Sequence, residues 1–153
     1  MALHIALIEP EIPPNTGNIA RLCAATGTSL HLIEPLGFSI DDADVRRAGL
    51  DYWDDVDLWV HPDWYCFRDA ISRERCLYFS ANAVRPYWEA QFQPNSCLVF
   101  GSETRGMPER ILDKHPERCF QIPMPGSKVR SLNLATAAGI VLYEALRQSF
   151  LPK

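Results

Sequence analysis

Short, mostly apolar segments alternate along this chain with longer segments that mix polar and apolar residues. Apolar runs of three to six residues are typical of strands that are buried on both faces of a sheet. The predicted strands cover residues 3–8, 30–33, 58–60, 76–79, 97–100 and 119–122. Because helical segments are expected between them, the pattern predicts an α/β fold: a mostly parallel sheet with helices on both faces.

Residues that begin or end helices lie between these strands. Gly27 ends a helix predicted over Ile19 to Thr26, and residues 13–18 are predicted to form the turn before it. Further helices are predicted from Asp41 or Asp42 to Gly49, from Asp63 onward and from Glu109 to Lys114, with a weak helical segment at residues 87–90. No repeat, low-complexity tract or linker interrupts the pattern, so we expect a single domain over residues 1–153.

The C-terminal stretch from Arg118 to Leu146 combines a short strand, a polar bend and a long apolar helix opened by Ser131 and Asn133. The first N–H groups of a helix have no partner within the helix, so such a corner suits an anion or a nucleotide. The helix is apolar nearly all round, whereas a surface helix keeps a polar face. We therefore expect it to pack on its own sheet and on a second copy of the chain, although the core helix of a monomer has the same periodicity.

Charge and cysteine content limit the class of protein. The net charge of −4 argues against non-specific coating of nucleic acid. Twelve of the fifteen cations are arginines, which suit forked phosphate contacts, so the sequence is compatible with a local basic patch or with simple surface decoration. The five cysteines are scattered without a CxxC pair, which predicts reduced thiols and no metal site. Without an export signal or a membrane-length apolar run, we expect a cytoplasmic protein.

Ligands of open parallel sheets bind beyond the carboxyl ends of the strands, where three polar stretches fall. These stretches are residues 15–21, residues 101–106, and residues 122–124 together with 131–133. None of them is a Walker loop, a GxGxxG motif or a GxSxG elbow. His4, His31 and His61 lie in or beside strands, so we expect them to be packed rather than catalytic.

Several stretches, in order, carry a resemblance to a known family. They read EPEIPPNTGNIARLCAATG at 9–27, HLIEPLGF at 31–38, RRAGLDYW at 46–53, FGSETRGMP at 100–108, IPM at 122–124 and SLNLATAAGIVLYEALRQ at 131–148. With them the chain resembles the SpoU branch of the SPOUT methyltransferases, most closely its small YibK/TrmL-like members. The resemblance implies a C-terminal trefoil knot, a homodimer formed through the last helix, and S-adenosylmethionine as the methyl donor. It also implies 2′-O-methylation of the wobble nucleotide of tRNA, a cytidine or modified uridine at position 34 in the anticodon stem-loop.

The resemblance also implies roles for individual residues. The cofactor-binding set is Phe79, Gly101, Ile122, Met124, Ser131 and Leu132, and the tRNA-backbone set is Arg46, Arg47, Arg105, Lys128 and Arg130. Arg21, with Asn15 and Asn133 beside it, is expected at the target ribose. Because a guanidinium stays protonated in proteins, we expect Arg21 to hold a phosphate or stabilise alkoxide charge rather than to act as a general base.

Several alternatives remain open from the sequence. The same chemistry on another tRNA position or on ribosomal RNA is one, a non-catalytic RNA-binding module of the same fold is a second, and an unrelated flavodoxin-like nucleotide binder is a third. Arg46 and Arg47 would also stabilise the end of a short helix through its dipole. The Trp64 to Phe67 segment could stack on an unpaired base, although core packing is the better explanation. Tyr143 could reach a partner's site or simply pack in an interface.

Overall fold

Seven strands form one sheet in the computed structural model, which describes residues 2–41, 43, 45, 47, 50–126 and 128–149. The sheet order is β3-β2-β1-β6-β4-β7-β5, and the six pairings between neighbouring strands are parallel. This confirms the predicted mostly parallel sheet. The strands are β1 His4–Ile8, β2 Ser29–Ile33, β3 Leu58–His61, β4 Cys76–Phe79, β5 Arg85–Pro86, β6 Cys97–Phe100 and β7 Cys119–Gln121.

Helices cover both faces of this sheet. They are α1 Pro13–Thr26, α2 Trp64–Ala70, α3 Glu109–Lys114 and α4 Leu134–Ser149, with 3-10 helices at Leu50–Asp55, Arg73–Arg75, Tyr87–Glu89 and Pro116–Arg118. Successive strand residues point to opposite faces, so β1 contributes Ile5 and Leu7 to one core and Ala6 and Ile8 to the other. The first core contains α1 and α4, whereas the second contains Phe67 of α2 and the α3 helix.

The predicted turn at residues 13–18 was wrong, because these residues form the first part of α1. Proline is tolerated at the first helical positions, where its missing N–H would have had no partner within the helix, and Pro13 and Pro14 occupy those positions. Asn15, Thr16 and Gly17 are buried, so tertiary packing holds this segment in the helix despite its turn-like composition. At the other end Gly27 adopts φ +66°, as the prediction of a helix stop requires.

Other local predictions are largely confirmed. Asp63 caps α2 by accepting a hydrogen bond from the N–H of Cys66 at 2.8 Å, and the weak segment near residue 87 is the 3-10 helix Tyr87–Glu89. Ala43, Val45 and Arg47 are helical, whereas Asp42, Arg46 and Gly49 of the predicted helix lie outside the described residues. Within the Trp64 to Phe67 segment, Phe67 is buried and Tyr65 is 78% exposed, so core packing explains only part of it.

The three strand histidines form a packed row, as predicted. His31 is hydrogen-bonded at 2.9 Å to both His4 and His61, and its ring stacks on those of His61 and Trp59. Burial lowers the pKa of each of the three imidazoles, most strongly that of His31, to about 3. We call His4, His31 and His61 the histidine row; its members stay neutral near pH 7.

Helix α4 presents two kinds of surface. Ala138, Val141, Leu142 and Ala145 are buried against the sheet and α1, while Tyr143 is 51% exposed. Among the described residues, no helix is long and apolar enough to cross a bilayer. The trefoil knot and the extent of a single domain over residues 1–153 stay predictions.

Candidate active site

A cavity of about 460 Å³ opens beyond the carboxyl ends of β4, β6 and β7, at the edge of the sheet where ligands of parallel sheets bind. Its volume lies within the range of small-molecule and cofactor sites. The loops after these three strands and the start of α4 line it. The lining includes all six residues predicted to hold the cofactor, Phe79, Gly101, Ile122, Met124, Ser131 and Leu132, together with Asn15, Asn133, Arg105 and Arg130.

One part of the lining is apolar. Phe79 is buried and its ring stacks on that of Phe100, with 5.3 Å between the centroids. Ile122, Met124 and Leu132 are half-buried around the same cavity. Such walls suit a flat aromatic group such as a nucleobase, while hydroxyl, amide and carboxylate groups of the other loops suit its polar substituents.

Gly101 lies in close contact with its own loop. A Cβ atom at this position would lie 2.2 Å from the carbonyl carbon of Gly106 and 2.3 Å from the nitrogen of Met107. The loop closes through a hydrogen bond from the N–H of Gly106 to the carbonyl of Ser102 at 2.9 Å, with Gly106 at φ +68°. The loop's own backbone therefore explains this glycine, and its closeness to a cofactor stays a prediction.

A chain of side-chain hydrogen bonds connects three elements at the cavity. Asn133 Nδ2 donates to Asn15 Oδ1 at 3.0 Å, and Asn15 Nδ2 donates to Glu103 Oε2 at 3.2 Å. Asn133 Oδ1 accepts from the N–H of Thr136 at 3.1 Å, which makes Asn133 the cap of α4, whereas Ser131, predicted to open the helix with it, lies two residues before this cap. A carboxylate only accepts, so Glu103 fixes the orientation of the Asn15 amide, and Asn15 in turn fixes that of Asn133.

Glu103 also holds the segment that leads into α1, the other helix at the cavity. Its two carboxylate oxygens accept from the N–H groups of Glu11 and Ile12, each at 2.8 Å. These two N–H groups precede the helix, so Glu103 fixes the segment before α1 and does not replace a side-chain cap, which α1 lacks at Ile12. Negative charge at this end also complements the helix dipole. This contact joins segments about 90 residues apart in the chain, so the sequence did not indicate it.

The predicted phosphate-binding cations are only partly assembled at the cavity. Arg105 and Arg130 line it, and the Arg105 guanidinium lies 3.2 Å from a carboxylate oxygen of Glu9. Lys128 and Arg47 are exposed and do not line the cavity, and Arg46 lies outside the described residues. Their role in binding RNA stays a prediction.

Arg21 does not line the cavity, although Asn15 on the same helix does. It is exposed on the surface of α1. Within one chain, the structure therefore does not bring Arg21 together with Asn15 and Asn133, the two residues that were predicted to lie beside it at the target ribose.

The loop after β4 belongs to the site although no motif in the sequence indicated it. Ser80, Ala81 and Asn82 line the cavity directly after Phe79. Their position after a predicted strand was a usable signal, but the loop joins the site only because β4 lies between β6 and β7. Strand order is not visible in a single sequence, since it depends on which strands pair.

Comparison with known proteins gives the chain a family. The profile of the SpoU rRNA Methylase family matches residues 2–143. A protein of Burkholderia pseudomallei named tRNA (cytidine(34)-2'-O)-methyltransferase is 47% identical over 150 residues, which cover 95% of this chain and 95% of that protein. A solved structure concerning the 2-OH methylation of C/U34 on tRNA is 48% identical, with a TM-score of 0.89 over 96% of this chain and 95% of that one.

A more distant structure has the same fold. The AdoMet-bound rRNA methyltransferase from Sinorhizobium meliloti is 23% identical, with a TM-score of 0.86 over 99% of this chain and 57% of that one. The family profile matches most of the chain, and a named relative is 47% identical over 95% of both chains. Both similarities therefore extend over the residues that form the α/β sheet and the cavity at its edge. This chain belongs to the SpoU rRNA Methylase family.

Proposed function

We propose that this chain transfers a methyl group from S-adenosylmethionine to the ribose 2′-oxygen of the wobble nucleotide of tRNA, a cytidine or modified uridine at position 34. The observation that carries the proposal is the identity of 47% to a protein named for this reaction, over 95% of the length of both chains. The structure concerning C/U34 methylation, similar over nearly the whole chain, supports the same substrate. Because these similarities are not confined to a short motif, they favour a shared activity over a shared fold alone.

The cavity fits the proposed methyl donor. Phe79, Ile122, Met124 and Leu132 would contact its adenine, and the polar groups around Ser131 would hold its ribose and amino-acid portions. Bound S-adenosylmethionine supplies an electrophilic methyl group on a sulfonium centre. The cavity volume of about 460 Å³ is that of a site for one molecule of cofactor size.

The residues of this chain would orient the acceptor and stabilise its charge. Asn15 and Asn133 present amides whose orientation is fixed by Glu103, so they are held ready to hydrogen-bond a ribose hydroxyl. The 2′-hydroxyl must lose its proton as its oxygen attacks, and a substrate phosphate or a water would accept that proton. We assign to Arg21 the stabilisation of the developing alkoxide or of a neighbouring phosphate, because its guanidinium remains charged.

We further propose a homodimer formed through α4. Tyr143 of this helix is exposed, and Ala135, Ala137 and Ile140 are only half-buried, so an apolar surface remains for a second copy. Helix α1 packs against α4 within one chain, so a dimer through α4 would bring a second α1 close to the cavity. That arrangement would account for Arg21, which lies outside the cavity of its own chain.

We expect tRNA to be held by its backbone around the cavity mouth. Arg105 and Arg130 line the cavity, and Arg46, Arg47 and Lys128 are the further cations of the proposed surface. Contacts of this kind release counterions, so affinity for the anticodon stem-loop should fall as salt rises. Because the proposed substrate is found there, we infer a cytoplasmic protein.

The test is a methyl-transfer assay with purified protein, labelled S-adenosylmethionine, bulk tRNA and ribosomal RNA in parallel reactions. We expect label in tRNA, and mapping of 2′-O-methyl groups should find the modification at position 34. Label confined to ribosomal RNA or to another tRNA position would refute the proposed substrate. Donor binding without transfer to any RNA would indicate a non-catalytic module instead.

A further inference from the structure

Two loops at the cavity exchange hydrogen bonds in both directions. One loop follows β1 and contains Glu11; the other follows β6 and contains Glu103 and Thr104. The Glu103 carboxylate accepts from two N–H groups of the first loop, as described above. In return, Glu11 Oε1 accepts from the N–H of Thr104 at 3.0 Å and from its hydroxyl at 2.7 Å, while Glu11 Oε2 lies 2.9 Å from the same hydroxyl. We call Glu11, Glu103 and Thr104 the loop clamp.

The loop clamp joins segments that hold different parts of the site. Strands β1 and β6 are neighbours in the sheet, so their loops leave it side by side. The first loop leads into α1, which carries Asn15 and Arg21, whereas the second carries Gly101 and Arg105. The loop clamp therefore sets the position of the residues proposed to bind the target ribose relative to the residues proposed to bind S-adenosylmethionine.

Glu11 differs from its partners in one respect. Thr104 and Glu103 line the cavity, whereas Glu11 does not, so any effect of Glu11 on chemistry must pass through its hydrogen bonds. Those bonds, led by the one from the Thr104 hydroxyl, lower the pKa of the Glu11 carboxyl, so Glu11 is a carboxylate at neutral pH. A carboxylate can accept the N–H and the hydroxyl of Thr104 together, a task that a shorter or neutral side chain performs poorly.

We propose that Glu11 is a positioning residue for methyl transfer, holding the loop after β6 in register with α1 through Thr104. This inference rests on the proposed function. A misplacement of about 1 Å in an active site can cost on the order of 10²-fold in rate, and loss of Glu11 leaves only the Glu103 half of the loop clamp to resist such a shift. Five of the six residues predicted to hold the methyl donor lie outside the loop after β6, so we expect donor binding to fall much less than the rate.

The experiment compares single-turnover methyl transfer to tRNA, donor affinity by titration, and thermal stability in four variants. Glu11→Ala removes the acceptor; Thr104→Val removes only the hydroxyl, and Thr104→Ser restores it. Glu89→Gln is the control. Glu89 is an exposed carboxylate whose ion pair with Arg85, at 3.5 Å, is separate from the loop clamp. Amide hydrogen exchange at residues 11, 12 and 104 reports on the loop clamp without using activity.

We expect Glu11→Ala to lower the single-turnover rate by about 10²-fold, with donor affinity near that of the wild type and faster exchange of the Thr104 amide. Thr104→Val should be slow and Thr104→Ser should recover most of the rate, while Glu89→Gln should match the wild type. A Glu11→Ala variant with the wild-type rate, or one whose donor affinity falls as much as its rate, would overturn the inference. So would equal rates for the two Thr104 variants. A wild-type protein that methylates no RNA would refute the proposed function instead.

Discussion

Replacing Glu103 by alanine tests whether one carboxylate stabilises the start of α1. The substitution removes the acceptor for the N–H groups of Glu11 and Ile12 and for Asn15 Nδ2. A hydrogen bond contributes about 0.5–1.5 kcal/mol net, and the two N–H groups lie near the surface, where water replaces part of the loss, so the pair contributes about 1 kcal/mol. The Asn15 side chain is buried, at 6% exposed, and an unsatisfied buried donor costs about 1–3 kcal/mol.

Together, about 1 kcal/mol from the two N–H groups and about 1–3 kcal/mol from Asn15 predict a loss of about 2–4 kcal/mol in the free energy of unfolding for Glu103→Ala. Glu103→Gln should cost less, because its amide oxygen, placed where Oε2 lies, still accepts two of the three bonds. Urea unfolding at one fixed protein concentration measures both, since the stability of an oligomer depends on concentration. Exposed Glu89 provides the control substitution to alanine. A Glu103→Ala protein within about 0.5 kcal/mol of the wild type, the range of ordinary surface substitutions, would show that the carboxylate does not support α1.

Three further predictions concern other parts of the molecule. Gly101→Ala should destabilise the protein by about 3 kcal/mol or prevent folding, because the new Cβ atom would overlap the backbone of Gly106, which cannot rotate away as a side chain can; thermal unfolding measures this. Arg21→Ala should abolish methyl transfer to tRNA while donor affinity, measured by titration, stays near that of the wild type; wild-type turnover would exclude the proposed role. The pKa values of the histidine row are lower in the folded protein than in the unfolded chain, so the unfolded chain binds more protons, and stability should fall as pH drops from about 6.5 toward the His31 pKa of about 3. Urea unfolding across this pH range, with His31→Gln as the comparison, should give a shallower pH dependence in the variant.

Much of the fold is encoded locally. The six longer strands follow from short apolar runs, and Asp63 and Gly27 bound their helices as capping chemistry predicts. β5 was missed, since two residues form no pattern. The start of α1 was also missed, because residues 13–18 have the composition of a turn and only burial of Asn15 to Gly17 makes the helical conformation favourable. Local propensity is a weak preference that tertiary packing overrides.

Part of the candidate site could likewise be predicted from the sequence, and part could not. The six predicted cofactor residues and the two asparagines meet at one cavity, because each lies at or after the carboxyl end of a predicted strand or at the start of α4. Other features of the site depended on the tertiary structure. Contacts between segments about 90 residues apart decided the partners of Glu103 and Glu11, and strand order brought residues 80–82 to the cavity. The position of Arg21 outside the cavity was likewise not visible in the sequence. The sequence by itself determined which residues are apolar, capping or charged, since these are properties of each residue and its neighbours. Only the tertiary structure decided which of them meet, because pairing of distant segments depends on the free energy of the whole sheet.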